Sequence, residues 1–387
     1  MKIKLILLAS AVHGKYTDTS EGGAKMLRNT KFKLTHGKKL TIGYFGGSIT
    51  DGTGASDEEK TSYRALVTRW FRETYPDAQI GDFNASIGGT GTGYGTFRCD
   101  RDLLAHDPDL VFIEYCVNDI GDSYDNVLPR AEAIIRKIRK TRPLIDVIVV
   151  VSTDEDAAAA MEAGRAFESR DAMLTVAYRY GVPFADPGCA LLFQVLRAGG
   201  DWSAFAPDGS HPSDLGHSIM ANVITSLISE LLEKSETVDM AEAHSLPEPL
   251  CAEVLDSGTM TECRDIKGLE MNGFRIVPSK MGRFAEIIES ETVGDSISFD
   301  FEGPVLGLIW DDGCVNGDLK VSVDGAEPVT VRSWDHVLRS FHKMEAALFM
   351  KGLDPLVPHH AEVVVSHLYT DKDNPIGYVR IAAILTA

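Results

Sequence analysis

A short apolar run ends on two glycines and a serine: Leu40-Thr41-Ile42-Gly43-Tyr44-Phe45, then Gly46-Gly47-Ser48-Ile49-Thr50-Asp51-Gly52. The run reads as a buried strand, the glycines as a tight turn, and a helical pattern sets in from about Thr61. A strand handed through a glycine turn to a helix belongs to an alternating α/β chain, whose loops gather at the carboxyl edge of a sheet. A serine hydroxyl there is surrounded by backbone N–H groups, where an activated nucleophile and an anion hole are easiest to build. Gly-Gly-Ser is also ordinary loop chemistry, so its weight depends on the rest of the chain.

The α/β rhythm continues. A helix is expected near 60–75 and a strand near Gln79–Ala85. A helix near Phe97–Ala105 precedes the strand Asp109–Cys116, and one near 128–141 precedes Val147–Ser152. Ala157–Tyr180 reads as one long helix, Val182–Ala185 as a short strand, and Leu191–Leu196 and Asp214–Lys234 as helices. Strands alternating with helices imply a three-layer parallel sheet. Right-handed crossovers place every strand-to-helix loop on the same edge.

Three such segments carry polar groups. They are Asn84-Ala85-Ser86-Ile87-Gly88-Gly89-Thr90-Gly91, Val117-Asn118-Asp119 after an apolar run, and Asp208-Gly209-Ser210-His211-Pro212. Ester cleavage needs a nucleophile, a base, a group that orients the base, and donors for the developing oxyanion. Ser48 offers the hydroxyl. His211 offers an imidazole, the side chain suited to taking and returning a proton near neutral pH. Asp208, three residues earlier, can reach the imidazole Nδ1 in a turn and hold its tautomer.

With Ser, Gly, Asn and Asp-x-x-His in this order, the chain resembles the SGNH (GDSL-type) hydrolase superfamily. The four blocks span Ser48 to His211, and the fold they imply covers about residues 30–235. The resemblance implies a serine esterase that uses no metal and no organic cofactor. It assigns Ser48, Asp208 and His211 to catalysis. It assigns the N–H groups of Ser48 and Gly89 and the Asn118 amide to the oxyanion hole. Two positions depart from the usual pattern: Gly47 stands where the family often has Asp, and Cys116 where Gly often precedes the Asn by two. The Gly-Gly-Ser-Ile-Thr variant resembles the carbohydrate-esterase branch. Other readings stay open for some residues. Asn118 can cap the helix that follows, Asp119 can cap or support a loop, and His217 is expected to pack rather than bind a ligand.

Composition narrows the class. A chain of 387 residues supports two or three domains with a full core. A net charge of −19 argues against nucleic acid and anionic membrane surfaces as partners. The cysteines (Cys99, Cys116, Cys189, Cys251, Cys263, Cys314) show no zinc-finger spacing and are too few for a disulfide scaffold. That pattern favours a reducing, cytoplasmic location. The N-terminal run Leu5–Val12 behind Lys2 and Lys4 offers the alternative of a secreted protein with a signal peptide.

After about residue 235 the rhythm changes. Residues 1–235 are expected to form the hydrolase domain and 236–249 a linker with two prolines. Residues 250–387 alternate in short strands, including Ser296–Phe301, Leu306–Trp310, Leu319–Gly325 and Glu362–Ser366, and read as a β-sandwich or jelly roll. Trp310 and Trp334 lie beside acidic residues, and Trp202 precedes Asp208 by six positions. All three are candidate substrate-binding platforms, since sugar sites pair an aromatic face with polar groups. Asp371-Lys372-Asp373-Asn374 reads as a turn, and His359-His360 has no third ligand in sequence. The expected substrate is an O-acetylated oligosaccharide. The alternatives are a lipid or thioester acylhydrolase and a catalytically silent glycan-binding protein.

Overall fold

A computed structural model describes residues 26–165, 167–279, 281, 283–313, 316–332, 343–370 and 376–387. The N-terminal run with Lys2 and Lys4, Cys314, Trp334 and Asp371–Asn374 lie outside the described residues. The chain divides into two compact units, Met1–Asp256 and Ser257–Ala387.

The first unit is built on five parallel strands. They are β1 (Lys39–Gly46), β2 (Gln79–Asn84), β3 (Leu110–Glu114), β4 (Asp146–Val150) and β5 (Phe184–Ala185), in the order β2-β1-β3-β4-β5. The helices are α1 (Arg28–Thr35), α2 (Ser48–Asp51), α3 (Tyr63–Thr74), α4 (Thr92–Arg98), α5 (Tyr124–Thr141), α6 (Glu155–Glu162), α7 (Glu168–Tyr180), α8 (Pro187–Arg197) and α9 (Asp214–Lys234). Each central strand is apolar on both faces because both are covered. Ile42, Tyr44, Phe112 and Ile148 enter one core with residues of α3, α8 and α9. Phe45, Val111, Ile113 and Val149 enter a second core with residues of α5 and α7. The strand period of two thus divides one sequence run between two cores.

Two helix expectations change. The pattern 157–180 is two helices, because α6 ends at Ala163 and Gly164 takes a φ of +75°. An alanine-rich period does not reveal that stop; a left-handed glycine does. The helix expected at Phe97–Ala105 begins earlier, at Thr92, and unwinds after Arg98 into a π turn, Cys99–Leu103. Its first N–H group is satisfied from another loop, by Asp119, which local pattern cannot show. α9 is long and apolar enough to span a bilayer by length and composition. Its Met220, Ala221, Ile224 and Ile228 are core residues of the first unit.

Residues 236–249, expected as a linker, are bonded to the first unit. Glu242 donates its N–H to Asn29 Oδ1 at 2.8 Å, His244 meets Asp146 at 2.7 Å, and Pro247 O accepts from Arg136 at 2.8 Å. The absence of an apolar period misled because this segment is held by polar contacts.

The second unit has two antiparallel sheets. One has the order β13-β12-β15-β10-β7, from Val329–Arg332, Gly317–Val323, Pro358–Leu368, Ser296–Glu302 and Glu270–Asn272. The other has the order β14-β11-β16-β9-β8, from Lys343–Met350, Leu306–Asp312, Val379–Thr386, Glu286–Ser290 and Arg275–Pro278, with β6 (Thr259–Glu262) also on β16. Phe299, Val321 and Val363 of one sheet share a core with Leu308, Trp310 and Ile381 of the other, which makes a sandwich.

His217 on α9 is fully buried. Its Nδ1 accepts the Tyr63 N–H at 3.2 Å and its Nε2 donates to Thr53 O at 3.3 Å. Burial pushes the ring down from 6.5 to about 4. Between those values the unfolded chain binds a proton that the folded chain refuses, so stability falls as pH drops through that window. The full effect is on the order of 3 kcal/mol. Urea unfolding at about pH 7 and about pH 4 should show the natural protein losing about 2–3 kcal/mol more than His217→Gln. Equal losses in the two chains would show that His217 is not the group responsible.

Candidate active site

Four loops at the carboxyl edge of the parallel sheet meet around Ser48. β1 ends at Gly46, and Ser48 opens the single-turn helix α2. The Ser48 carbonyl accepts the N–H groups of Gly52 and Thr53, each at 3.0 Å, which turns the chain back at once. The hydroxyl therefore stands at the start of the turn.

Ser48 Oγ lies 2.8 Å from His211 Nε2, and His211 Nδ1 lies 2.7 Å from Asp208 Oδ2. The other carboxylate oxygen accepts the N–H groups of His211 at 2.7 Å and Ser210 at 2.9 Å. Partial burial raises the Asp208 carboxyl, but the bonds from the His211 ring and from both N–H groups outweigh it and hold it below its ordinary range. An ionised carboxylate only accepts, so Nδ1 carries the proton. That leaves Nε2 with its lone pair toward the Ser48 hydroxyl. The arrangement can accept the serine proton and stabilise the imidazolium that results.

What brings His211 to Ser48 is a set of contacts absent from the motifs. The loop after α2 is fastened to the start of α9. Asp214 accepts from the Ser56 N–H at 2.8 Å, the Ser56 hydroxyl at 2.6 Å and the Thr61 hydroxyl at 2.7 Å. These bonds lower the Asp214 carboxyl to about 2. At Gly54, where φ is +91°, a Cβ would stand 2.4 Å from the Pro212 carbonyl. The backbone around Ser48 thus lies directly against the backbone around His211. On the other side of the histidine loop, the Gly209 carbonyl accepts the Glu155 N–H at 2.8 Å.

The glycine and asparagine loops close on the same point. A Cβ at Gly88 would lie 3.6 Å from Ser48 Cβ. Gly89 has a φ of +72°, which suits glycine and turns its peptide out of the strand direction. A Cβ on Gly47 would stand 1.7 Å from Asn118 Oδ1. Gly47 itself has an unstrained φ of −94°, so close approach of the Asn118 side chain explains the glycine there. Among the described residues, the N–H groups of Ser48 and Gly89 make no hydrogen bond within the protein, and Asn118 Oδ1 is buried without a partner. Asn118 does not cap the helix that follows: α5 has Ser123 at its N-cap, and Glu168 accepts the Tyr124 N–H at 2.7 Å.

Asp119 joins the two loops. Its Oδ1 accepts the Thr92 N–H at 3.0 Å and its Oδ2 the Thr92 hydroxyl at 2.7 Å, so the residue beside Asn118 caps the helix that follows Gly89. Burial pushes its carboxyl up to about 7. Beneath the turn, buried Glu114 accepts from Thr50 at 2.9 Å and from Ser152, and burial raises its carboxyl too. The capping or loop-supporting role expected of Asp119 is thus met, on the helix after Gly89, whereas no role was expected of Glu114. A lone Glu inside the apolar run Leu110–Cys116 is the signal that could have marked Glu114.

The three tryptophans fare differently. Trp202 is a core residue beside Phe205 and Ala206, and its carbonyl accepts both of their N–H groups. Trp310 is 3% exposed in the sandwich core, and its Nε1 is buried without a partner. Both rings are buried in the cores of their units, which leaves little of either surface to serve as a platform. Trp334 lies outside the described residues. Among the described residues, no group of three or more metal-ligating side chains occurs.

Residues 44–219 match the model of the GDSL-like Lipase/Acylhydrolase family. An acetylxylan esterase of Geobacillus stearothermophilus is 29% identical over 136 residues, a match spanning 31% of this chain and 61% of that protein. The crystal structure of a two-domain esterase active on acetylated mannans superposes with a TM-score of 0.81. It shares 23% identity, with 94% of this chain and 96% of that chain covered. The same esterase co-crystallised with mannopentaose gives the same TM-score over 95% and 97% of the two chains. The order of the units, an α/β sheet followed by antiparallel sheets, is therefore a known two-domain fold.

Gly47→Ala should push the Asn118 side chain out of place while leaving the fold formed. A displacement of about 1 Å near reacting atoms can cost about 100-fold. Turnover of a small acetate ester by a folded Gly47→Ala variant is expected to fall about 10- to 100-fold. Gly47→Asp, which restores the common family residue, should fall at least as far. Normal turnover in either variant would show that the close approach at Gly47 has no functional weight.

Proposed function

We propose, starting from the match of residues 44–219 to the GDSL-like Lipase/Acylhydrolase family, that the protein is a serine carboxylic ester hydrolase that removes O-acetyl groups from carbohydrates. One observation carries the reading: an unbroken hydrogen-bonded line from Ser48 through His211 to Asp208, with the Gly88-Gly89 loop against the serine and Asn118 against the adjoining Gly47. The carbohydrate preference is supported by the similarity to an acetylxylan esterase and, at the level of the fold, to a two-domain esterase active on acetylated mannans.

In this mechanism His211 Nε2 takes the Ser48 proton as Oγ attacks the acetyl carbonyl carbon. Negative charge moves onto the carbonyl oxygen, which the N–H groups of Ser48 and Gly89 and the Asn118 amide receive. Donors fixed in advance by the fold would keep reorganisation small as the charge develops. The imidazolium returns its proton to the departing sugar oxygen, and the acetyl group stays on Ser48 as an ester. Water then attacks with its proton going to His211, and acetate leaves as Ser48 regains its hydrogen. Asp208, kept ionised by its three bonds, steadies the imidazolium in both halves.

The test is acetate release from acetylated manno- and xylo-oligosaccharides, set beside a small acetate ester and a long-chain lipid ester. Ser48→Ala and His211→Ala should each remove turnover by several orders of magnitude in folded protein. Asn118→Ala should lower kcat by about 100-fold with little change in KM, because its bond strengthens in the transition state. A well-folded Ser48→Ala protein with near-normal turnover would sink the serine mechanism. Turnover of the lipid ester alone would move the substrate class to acylglycerols.

A further inference from the structure

All three proposed oxyanion donors follow strand ends, and one buried side chain touches all three ends. Arg98, the last residue of α4, has no solvent exposure. Its Nη2 donates to Gly46 O at 3.1 Å and to the Tyr115 hydroxyl at 2.8 Å, and its Nη1 donates to Ala85 O. Gly46 ends β1, two residues before Ser48. Ala85 follows β2, four before Gly89. Tyr115 follows β3, three before Asn118. The guanidinium also lies 4.3 Å from the centre of the Phe45 ring, and Asp102 stands 3.3 Å from Nη1.

Resting on the esterase reading, we infer that Arg98 is the positioning residue of the oxyanion hole: it sets the spacing of the Ser48, Gly89 and Asn118 donors through the strand ends that carry them. The Gly46 carbonyl is held by Arg98 and by the Ile87 N–H at 3.1 Å, while the Gly47 N–H points the other way to Glu114 O at 3.3 Å. The Gly46–Gly47 peptide, one before the peptide that leads into Ser48, is thereby gripped from both sides. Only a planar group with several fixed donors can reach two carbonyls and a hydroxyl together; an ammonium is a single compact charge on a flexible stem. The placement on α4 strengthens the case. Asp119 holds the first turn of that helix and Arg98 extends from its last, so α4 links the Asn118 loop to the nucleophile strand.

A buried arginine is also structural, so the test must separate the roles. Arg98→Lys, with folding checked by thermal melting, should lower kcat on a small acetate ester about 10- to 100-fold with KM within about twofold. The same substitution in an Asn118→Ala background should cost less than about threefold, because residues acting through one hole are not additive. Retained kcat in folded Arg98→Lys, or the same fold-loss in both backgrounds, would overturn the inference. If Arg98→Lys does not fold, Tyr115→Phe decides. It keeps the arginine, removes one acceptor, and should lower kcat several-fold at unchanged KM; an unaltered kcat would overturn it. Ser48→Ala in the same assay keeps the readings apart. An active Ser48→Ala variant removes the esterase reading itself, whereas an inactive one beside a normal Arg98→Lys removes only the role of Arg98.

Discussion

The short distance between Ser48 and His211 depends on a contact neither residue makes. They are 163 positions apart in the chain, and nothing local holds them together. The fastening is Asp214, which grips Ser56 and Thr61, together with the glycine at position 54 that lets two backbones touch. The histidine loop is attached to α9, α9 packs against α3 and α8, and α3 follows the serine turn. The geometry of the proposed site is thus set by helix packing and a carboxylate anchor, with the motif residues at the end of that chain of causes.

Beneath the site lie ionisable groups that an apolar core would not normally admit. Arg98, Glu114 and Asp119 are all buried, and each would cost several kcal/mol if left without partners. Each has them: two carbonyls and a hydroxyl for Arg98, two hydroxyls for Glu114, and a backbone N–H and hydroxyl for Asp119. Apolar side chains would hold the strands with less desolvation, but they do not fix the direction of a peptide. Donors aimed at a developing charge need that direction fixed in advance. The polar network and the unsatisfied Asn118 Oδ1 occur at the same edge of the sheet.

The sandwich unit follows a different logic. Strand β10 alternates, with buried Ile297, Phe299 and Phe301 separated by polar neighbours, so one face of its sheet is inside, whereas β11 is buried along its whole length. Trp310 takes part in that inner face, which makes its size a packing asset. Acidic neighbours had marked it as a surface residue. Asp311 is itself buried, beside Arg380 at 3.4 Å. An aromatic next to acids therefore reads the same in sequence whether the acids face solvent or a half-buried guanidinium.

Much of the first unit was legible from its residues. Apolar runs of five to eight residues between helical periods can bury both faces only in a parallel sheet, and that topology sends every strand-to-helix loop to one edge. The order Ser48, Gly89, Asn118, Asp208, His211 along those loops follows from the chain itself, and the close Asp208–His211 pairing follows from a three-residue turn. The tertiary structure alone decided which groups hold these loops at their separations. Arg98, Asp119 and Asp214 act across 13 to 158 residues through single hydrogen bonds. Such bonds leave no period or spacing in a sequence, because their partners are adjacent only after the helices have packed. Burial is likewise a property of the packed chain, so Trp202 and Trp310 could be assigned to the interior only once the surfaces against them were in place.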